Sequence, residues 1–198
     1  EMADADDIDL VIELIGGSDG IAKVLAEKAL AAGKHIVTAN KALIAHHGTA
    51  LAKIAEKSGA AIYCEAAVAG GIPILKALRE GLAGNQISRV YGILNGTCNY
   101  ILTEMRDTGR TFDDVLLEAQ KLGYAEADPT FDVDGIDTAH KLAILSAISF
   151  GTKVNFEGIH VEGIREIAPI DIEFAEELGF GIKLLGIASK NGDEIEQR

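Results

Sequence analysis

The sequence predicts an α/β protein: a parallel sheet with crossover helices over residues 1–63, followed by an α+β region over residues 64–198. Three observations carry this. Short apolar strands alternate with Ala/Leu/Lys-rich helical stretches up to Tyr63, the rhythm of βαβ units. A glycine-rich stretch, Ala69-Gly70-Gly71, breaks that rhythm just after Cys64. Beyond it, helices come in runs and the strands are isolated.

The elements follow in order. Residues 9–14 (DLVIEL) read as a strand ended by Gly16-Gly17, after which Ser18 or Asp19 can cap a helix running to about Ala32 and stopped by Gly33. His35-Ile36-Val37-Thr38 is a second strand, Asn40-Lys41 opens a helix through about Lys57, and residues 60–63 are a third strand. Residues 65–73 form the glycine-rich loop, and a helix covers about 74–80. A strand covers 87–94, punctuated by Asn95-Gly96-Thr97-Cys98-Asn99, and helices follow at about 97–107, 111–122 and 135–150. Strand 160–163, helix 171–180 and strand 182–189 complete the series, with no closing element after them.

Composition narrows the function classes. With 48% hydrophobic and 25% charged residues, the chain is an ordinary globular protein rather than a disordered or fibrous one. No uncharged apolar run approaches the roughly 18 residues needed to cross a bilayer, and no signal-like pattern opens the chain. The expected location is therefore the cytoplasm. A net charge of −13 argues against nucleic acid or an anionic membrane as partner, because phosphate recognition needs concentrated Lys and Arg. Two cysteines, Cys64 and Cys98, cannot build a disulfide framework.

No GxGxxG turn is present; Gly179-Phe180-Gly181 starts the pattern, but Leu184 stands where the third glycine belongs. The chemistry-bearing stretch is instead Gly123–Lys141, where five carboxylates fall within twelve residues and a lysine follows. Pro129 and Gly135 mark residues 126–135 as a loop, and Asp137 falls in the first turn of the next helix. The helix dipole favours an acid there, and Asp137 with Lys141 makes an i,i+4 pair, so a purely structural role accounts for both. An EF-hand registered on Gly135 would place Thr130 and Lys141 at its first and last ligand positions, which excludes calcium binding of that type. The catalytic alternative is a carboxylate cluster that holds an ammonium beside a lysine exchanging a proton with an oxygen. That lysine would need its pKa lowered by burial or a second cation, and Lys41 is the candidate for the second charge.

Four segments together resemble successive signatures of the homoserine dehydrogenases: Val37–Lys41, Glu65–Pro73, Asn95–Leu102 with Leu94 before it, and Gly123–Lys141. They occur in the family's order, and the resemblance runs from the Glu13–Gly17 strand end to the last residue. It implies a partial chain, lacking the family's N-terminal GxGxxG half and its C-terminal end. Residues 1–63 would then be the second half of a Rossmann-like dinucleotide-binding domain, and residues 64–198 a substrate-binding, dimer-forming catalytic domain. The implied reaction interconverts L-homoserine and L-aspartate 4-semialdehyde with NADP or NAD, on the route to threonine, methionine and isoleucine.

Residue by residue, the resemblance makes Lys141 the general acid/base, with Asp137 orienting it and touching substrate. Lys41 lies beside both nicotinamide and substrate, and Glu126 binds the substrate ammonium and borders the cofactor. Gly16, Gly17 and Gly123 fall at cofactor contacts, and Gly96, Thr97, Tyr124 and Asp132 line the pocket. Glu65 with the carbonyls of Val68, Gly70 and Ile72 resembles the family's sodium site, an all-oxygen set suited to a hard monovalent cation. Without the family, that segment reads as a glycine-rich turn before a helix. The partners implied are the small-molecule substrate and a second copy of the chain. Because the adenosine-pyrophosphate cradle is missing, these 198 residues alone are expected to be weakly active or inactive. The competing class is a non-catalytic oligomerisation or amino-acid-binding module using the same acidic pocket. Cys98 raises a second enzyme class with a thiol nucleophile, although a small packing residue explains it as well. The five histidines share no ligand or triad spacing, and His140 falls one residue off the Asp137/Lys141 face.

Overall fold

The computed structural model describes residues 2–198. Strands β1 (Leu10–Glu13), β2 (His35–Thr38) and β3 (Ile62–Tyr63) form a parallel sheet in that order, joined by helices α1 (Ile21–Ala31) and α2 (Lys41–Ser58). The register pairs Leu10 with His35, Glu13 with Thr38 and Ile36 with Ile62. Alternation along the strands explains why α1 and α2 share a face. Val11 and Ile36 point at Ala26, Ala29, Leu30, Leu43 and Leu51 and form one buried cluster with them, while Ile12 on the opposite face is 63% exposed.

Beyond the parallel sheet, a one-turn helix α3 (Ile74–Lys76) runs on into a π-helical turn over Ala77–Gly81. Strand β4 (Arg89–Gly92) is followed by α4 (Gly96–Thr108), α5 (Phe112–Lys121), α6 (Thr130–Val133), α7 (Ile136–Phe150) and α8 (Pro169–Glu177). The hairpin β5 (Gly186–Asn191) and β6 (Glu194–Gln197) joins β4 in an antiparallel sheet of order β4-β5-β6.

Helix α7 organises the molecule. Eleven of its 15 residues are buried, so it is apolar nearly all round and packs on more than one side. Ile144 and Leu145 meet Ile44 of α2 together with Val68 and Leu75, while Leu142 and Phe150 meet Ala188 of β5. Each such side chain contributes about 1.5–3 kcal/mol by leaving water. The result pins the first turn of α7 close to the first turn of α2. Gly135, at φ +84, makes the entry to α7: a Cβ there would sit 3.0 Å from the Glu162 carbonyl oxygen.

The structure corrects several expectations. Neither Ser18 nor Asp19 caps α1, which starts after Gly20 at φ +72 with no side-chain cap. Asp19 instead accepts from Ser18 Oγ at 2.8 Å and meets His47 Nε2 at 3.1 Å. Residues 126–135 are not all loop, since α6 forms behind Pro129, whose ring is compatible with a helix start. No strand forms at 160–163. Gly163 presses onto α6 so closely that a Cβ would lie 2.4 Å from Val133 O, and Ile164 N–H donates to that same oxygen at 2.8 Å. The strand expected at 182–189 begins only at Gly186, because Lys183 is drawn to α4, donating to Asn99 Oδ1 at 2.9 Å and Thr103 Oγ1 at 3.0 Å. The final residues do carry a closing element, β6, reached through Gly192 at φ +63.

Candidate active site

Three helix N-termini converge beside the open end of the parallel sheet. Asn40 caps α2 by accepting from Leu43 N–H at 3.0 Å, which places Lys41 in the first turn. Asn95 caps α4 by accepting from Cys98 N–H at 2.8 Å, which leaves its amide hydrogens free to point elsewhere. They go to Asp132 Oδ1 at 2.7 Å and Asp137 Oδ2 at 2.9 Å. Asp137 and Lys141 come from the first turns of α7.

Asp137 is the hub. Its side chain is 4% exposed and meets Lys41 Nζ through Oδ1 at 3.1 Å and Lys141 Nζ through Oδ2 at 2.7 Å. Lys141 Nζ also donates to Leu94 O at 2.7 Å. Burial pushes the Asp137 carboxyl upward, but the hydrogen bonds from Lys141 and Asn95 and the charges of Lys141 and Lys41 outweigh it and hold the group below its usual range. The Phe131 ring lies 5.5 Å from Lys41 Nζ, a cation–π distance.

The five acids of the Gly123–Lys141 stretch do not act as one cluster. Asp132 and Asp137 share Asn95, whereas Asp134 pairs with Arg165 and Asp128 accepts from Thr130 N–H at 3.1 Å. Among the described residues, no hydrogen bond or ion pair joins the exposed Glu126 carboxylate to Lys41, Asp137 or Lys141; its backbone carbonyl accepts from Gln120 Nε2 at 3.0 Å. Thr97 Oγ1 donates to Tyr124 O at 2.9 Å, which ties the exposed Gly123–Tyr124 turn to Gly96 and the start of α4. Gly16 and Gly17 leave β1 at φ +88 and +80, with open space where a Cβ would point. They lie at the carboxyl end of the sheet, as do Lys41 after β2 and Glu65 after β3. That is the edge at which open parallel sheets bind ligands.

Glu65 has a structural task. Its two carboxylate oxygens accept from Leu75 N–H at 2.8 Å and Lys76 N–H at 2.9 Å, capping α3. Between them the chain turns at Ala69 (φ 60) and Gly70 (φ 55), and Ile72 O accepts from Ile74 N–H at 2.8 Å. Val68 is buried and Ile72 is 64% exposed. Among the described residues, no group of three or more His, Cys, Asp or Glu side chains is placed to hold a metal ion.

Cys98 is fully buried and donates from Sγ to Asp132 O at 3.2 Å. Burial first, then the charges of Asp132, Asp137 and Asp134, push its thiol up to about 12, which leaves almost no thiolate near neutrality and weighs against a nucleophile. Iodoacetamide should therefore leave Cys98 unmodified in the native protein and label it after denaturation, as read by peptide mass spectrometry. Native labelling that tracks loss of turnover would restore the thiol mechanism.

Sequence spacing missed two side-chain contacts. Asn95 belongs to the Asn95–Leu102 motif, yet its link to both Asp132 and Asp137 depends on the fold. His46 and His140, on α2 and α7, approach Nε2 to Nε2 at 3.1 Å, with Phe156 packed against both rings. His140 is 3% exposed and, among the described residues, has no partner on Nδ1; burial, then His46 and Lys41, lower it to about 4. An unfolded histidine near 6.5 takes up its proton first, so the contribution of neutral His140 is complete above pH 6.5 and is lost as pH falls toward about 4. The melting temperature of the protein should fall across that interval, and less steeply in His140→Gln. Parallel slopes would remove His140 as the cause.

The family model described as homoserine dehydrogenase matches residues 73–198, and that described as homoserine dehydrogenase, NAD binding domain, matches residues 1–65. The chain is 56% identical to a homoserine dehydrogenase of Neisseria gonorrhoeae over 198 residues, covering 100% of this chain and 45% of that protein. Its fold matches the crystal structure of a homoserine dehydrogenase from Thiobacillus denitrificans with a TM-score of 0.94 at 58% identity, covering 96% of this chain and 44% of that one. A hyperthermophilic archaeal homoserine dehydrogenase solved in complex with NADPH matches with a TM-score of 0.80 at 32% identity, covering 96% of this chain and 55% of that one. The chain thus spans just under half the length of these two bacterial relatives. Among the described residues, no helix is long and apolar enough to cross a membrane.

Proposed function

The chain belongs to the homoserine dehydrogenase family, and on that premise we propose that it supplies the catalytic centre of an enzyme interconverting L-homoserine and L-aspartate 4-semialdehyde with NAD(P). The observation that carries this reading is the pair of lysines sharing the buried Asp137 carboxylate. A protonated Lys141 has three N–H bonds, of which Leu94 O and Asp137 Oδ2 take two. The third is free for a substrate oxygen.

During semialdehyde reduction, Lys141 gives that proton to the aldehyde oxygen as it becomes a hydroxyl. In the opposite direction the neutral amine takes the proton from the homoserine hydroxyl. Asp137 fixes the lysine so that little orientation remains to be found in the transition state. Lys41, on the other carboxylate oxygen, would lie beside nicotinamide and substrate. Glu126 receives the substrate ammonium, and Gly96, Thr97, Tyr124 and Asp132 line the pocket. The open turn at Gly16-Gly17, with no Cβ to obstruct it, suits a dinucleotide at the carboxyl edge of the sheet, which Gly123, Lys41 and Glu126 would also help to hold. When bound, NAD(P) supplies the two-electron acceptor or donor.

A sodium ion also fits residues 65–72. The Glu65 oxygens and the Ile72 carbonyl each keep a lone pair beyond their hydrogen bonds, and Val68 and Gly70 add carbonyls around the same turn. We place the cofactor-binding region in residues 1–63 and the catalytic region in 64–198, and we assign the protein to the cytoplasm, as a homodimer or higher homo-oligomer with a role in threonine, methionine and isoleucine synthesis. The 198 residues alone should turn over weakly or not at all, because Gly16-Gly17 supplies only part of a dinucleotide cradle.

The test is homoserine-dependent reduction of NAD+ and NADP+ by the protein at its full natural length, followed through the reduced cofactor. Turnover with either cofactor supports the assignment. Homoserine binding without turnover would hand it to the amino-acid-binding module.

A further inference from the structure

Glu13 is fully buried, yet the reaction outlined above gives it no part. Every described hydrogen-bond partner of its carboxylate donates to it: Ile15 N–H at 2.7 Å and Gly16 N–H at 3.2 Å to Oε1, and Thr38 Oγ1 at 2.6 Å to Oε2. Glu13 and Thr38 are also the last register partners of β1 and β2. The backbone ladder stops there, and these side chains continue it.

The bonds close into a ring. Thr38 Oγ1 accepts from Asn40 N–H at 2.9 Å, and Asn40 Nδ2 donates to Gly17 O at 2.7 Å, returning to the turn that Glu13 holds by its amides. Asn40 is in addition the cap that starts α2 at Lys41. A turn at the end of β1 and a lysine at the start of α2 thereby become one rigid unit. Without the ring, two consecutive glycines at positive φ would leave that turn free to move.

We propose that Glu13 is a positioning residue for the reaction, acting through Thr38 and Asn40 to hold the Gly16-Gly17 turn and Lys41 in fixed relation at the mouth of the cofactor site. The inference rests on the dehydrogenase reading and deepens it. A buried carboxylate at this place does more than stabilise a strand end: it sets where the cofactor meets the lysine.

The experiment compares the full-length protein with Glu13→Ala, Glu13→Gln and Thr38→Val, measuring kcat, KM for cofactor, KM for homoserine and melting temperature. Glu13→Ala should raise the cofactor KM about tenfold and lower kcat about tenfold, with homoserine KM within about twofold. Glu13→Gln should recover most of the cofactor KM, because its amide oxygen still accepts from Ile15 and Gly16. Thr38→Val should lower kcat more than it raises the cofactor KM, since it cuts the branch to Asn40 and spares the turn. Variants that melt earlier but keep wild-type kinetic constants would reduce Glu13 to a structural residue and overturn the proposal, as would equal rises in both KM values. If Glu13→Ala does not fold, the other two variants decide by the same readings. Absence of turnover in the wild type would instead refute the dehydrogenase reading and the inference with it.

Discussion

Replacing Lys141 by alanine is expected to lower kcat and kcat/KM together by about 10²- to 10⁴-fold, the usual contribution of a positioned general acid/base. The expectation follows from the ammonium's surroundings. Two of its N–H bonds are fixed by Leu94 O and Asp137 Oδ2, so the third has a defined direction. The side chain is 19% exposed, which leaves room for a substrate oxygen without admitting bulk water from all sides. KM for homoserine should move little, because Glu126, the carboxylate assigned to the substrate ammonium, is untouched. Lys141→Met keeps the length and apolar volume of the stem, and should be as inactive as Lys141→Ala if proton transfer is what is lost. Turnover within tenfold of wild type in the methionine variant would assign the role of Lys141 to packing and remove it from the chemistry. Arginine should not rescue, since its planar guanidinium does not release a proton near neutrality.

The relation between Lys141 and Asp137 was legible in the sequence because an i,i+4 pair depends only on helix geometry. The same holds for β2, whose alternation in His35–Thr38 and whose Asn40 cap are local signals that the fold leaves intact. Lys41 is different. Its motif could be named, but its contact with Asp137 exists only because Ile44 packs against Ile144 and Leu145 and sets α2 beside α7. The acidic stretch misled for a related reason: five carboxylates close in sequence are dispersed by α6 and Gly135, and two are spent on Arg165 and Thr130. Glu13 looked like an ordinary member of β1, since nothing in a one-dimensional pattern distinguishes a carboxylate that will be buried and surrounded by donors. At the chain's end, Gly192-Asp193 is the two-residue loop between Asn191 and Glu194, a local hairpin signal that stood in the sequence although no closing element was expected there. A Cβ on Gly163, by contrast, would collide with Val133 O and Asp134 Cα, neighbours that only the fold brings there, so the lost strand at 160–163 had no local warning.

Asp137→Ala should damage both stability and turnover, and Asp137→Asn should separate the two. The alanine removes the one carboxylate that Lys41, Lys141 and Asn95 share, leaving two ammoniums near each other with no anion between them. Breaking a buried pair costs about 3–5 kcal/mol when the survivor stays buried. Here the lysines are 33% and 19% exposed, so solvent screens them and the lower end, about 3 kcal/mol, is the expectation. The asparagine keeps the shape and one acceptor, so Lys141 retains a partner and the loss of stability should be smaller. Turnover should nevertheless fall by about 10²-fold or more in both variants, because the charge that fixes the lysine pair is gone. Acid should mimic the substitution. Asp137 titrates below the ordinary carboxylate range in the fold, so its contribution is intact above about pH 3.9 and is lost as pH falls through the lowered folded value. Melting curves of wild type and Asp137→Asn should therefore converge at low pH and diverge above it. An Asp137→Asn protein with wild-type kcat would show that the carboxylate stabilises the helix start and nothing more.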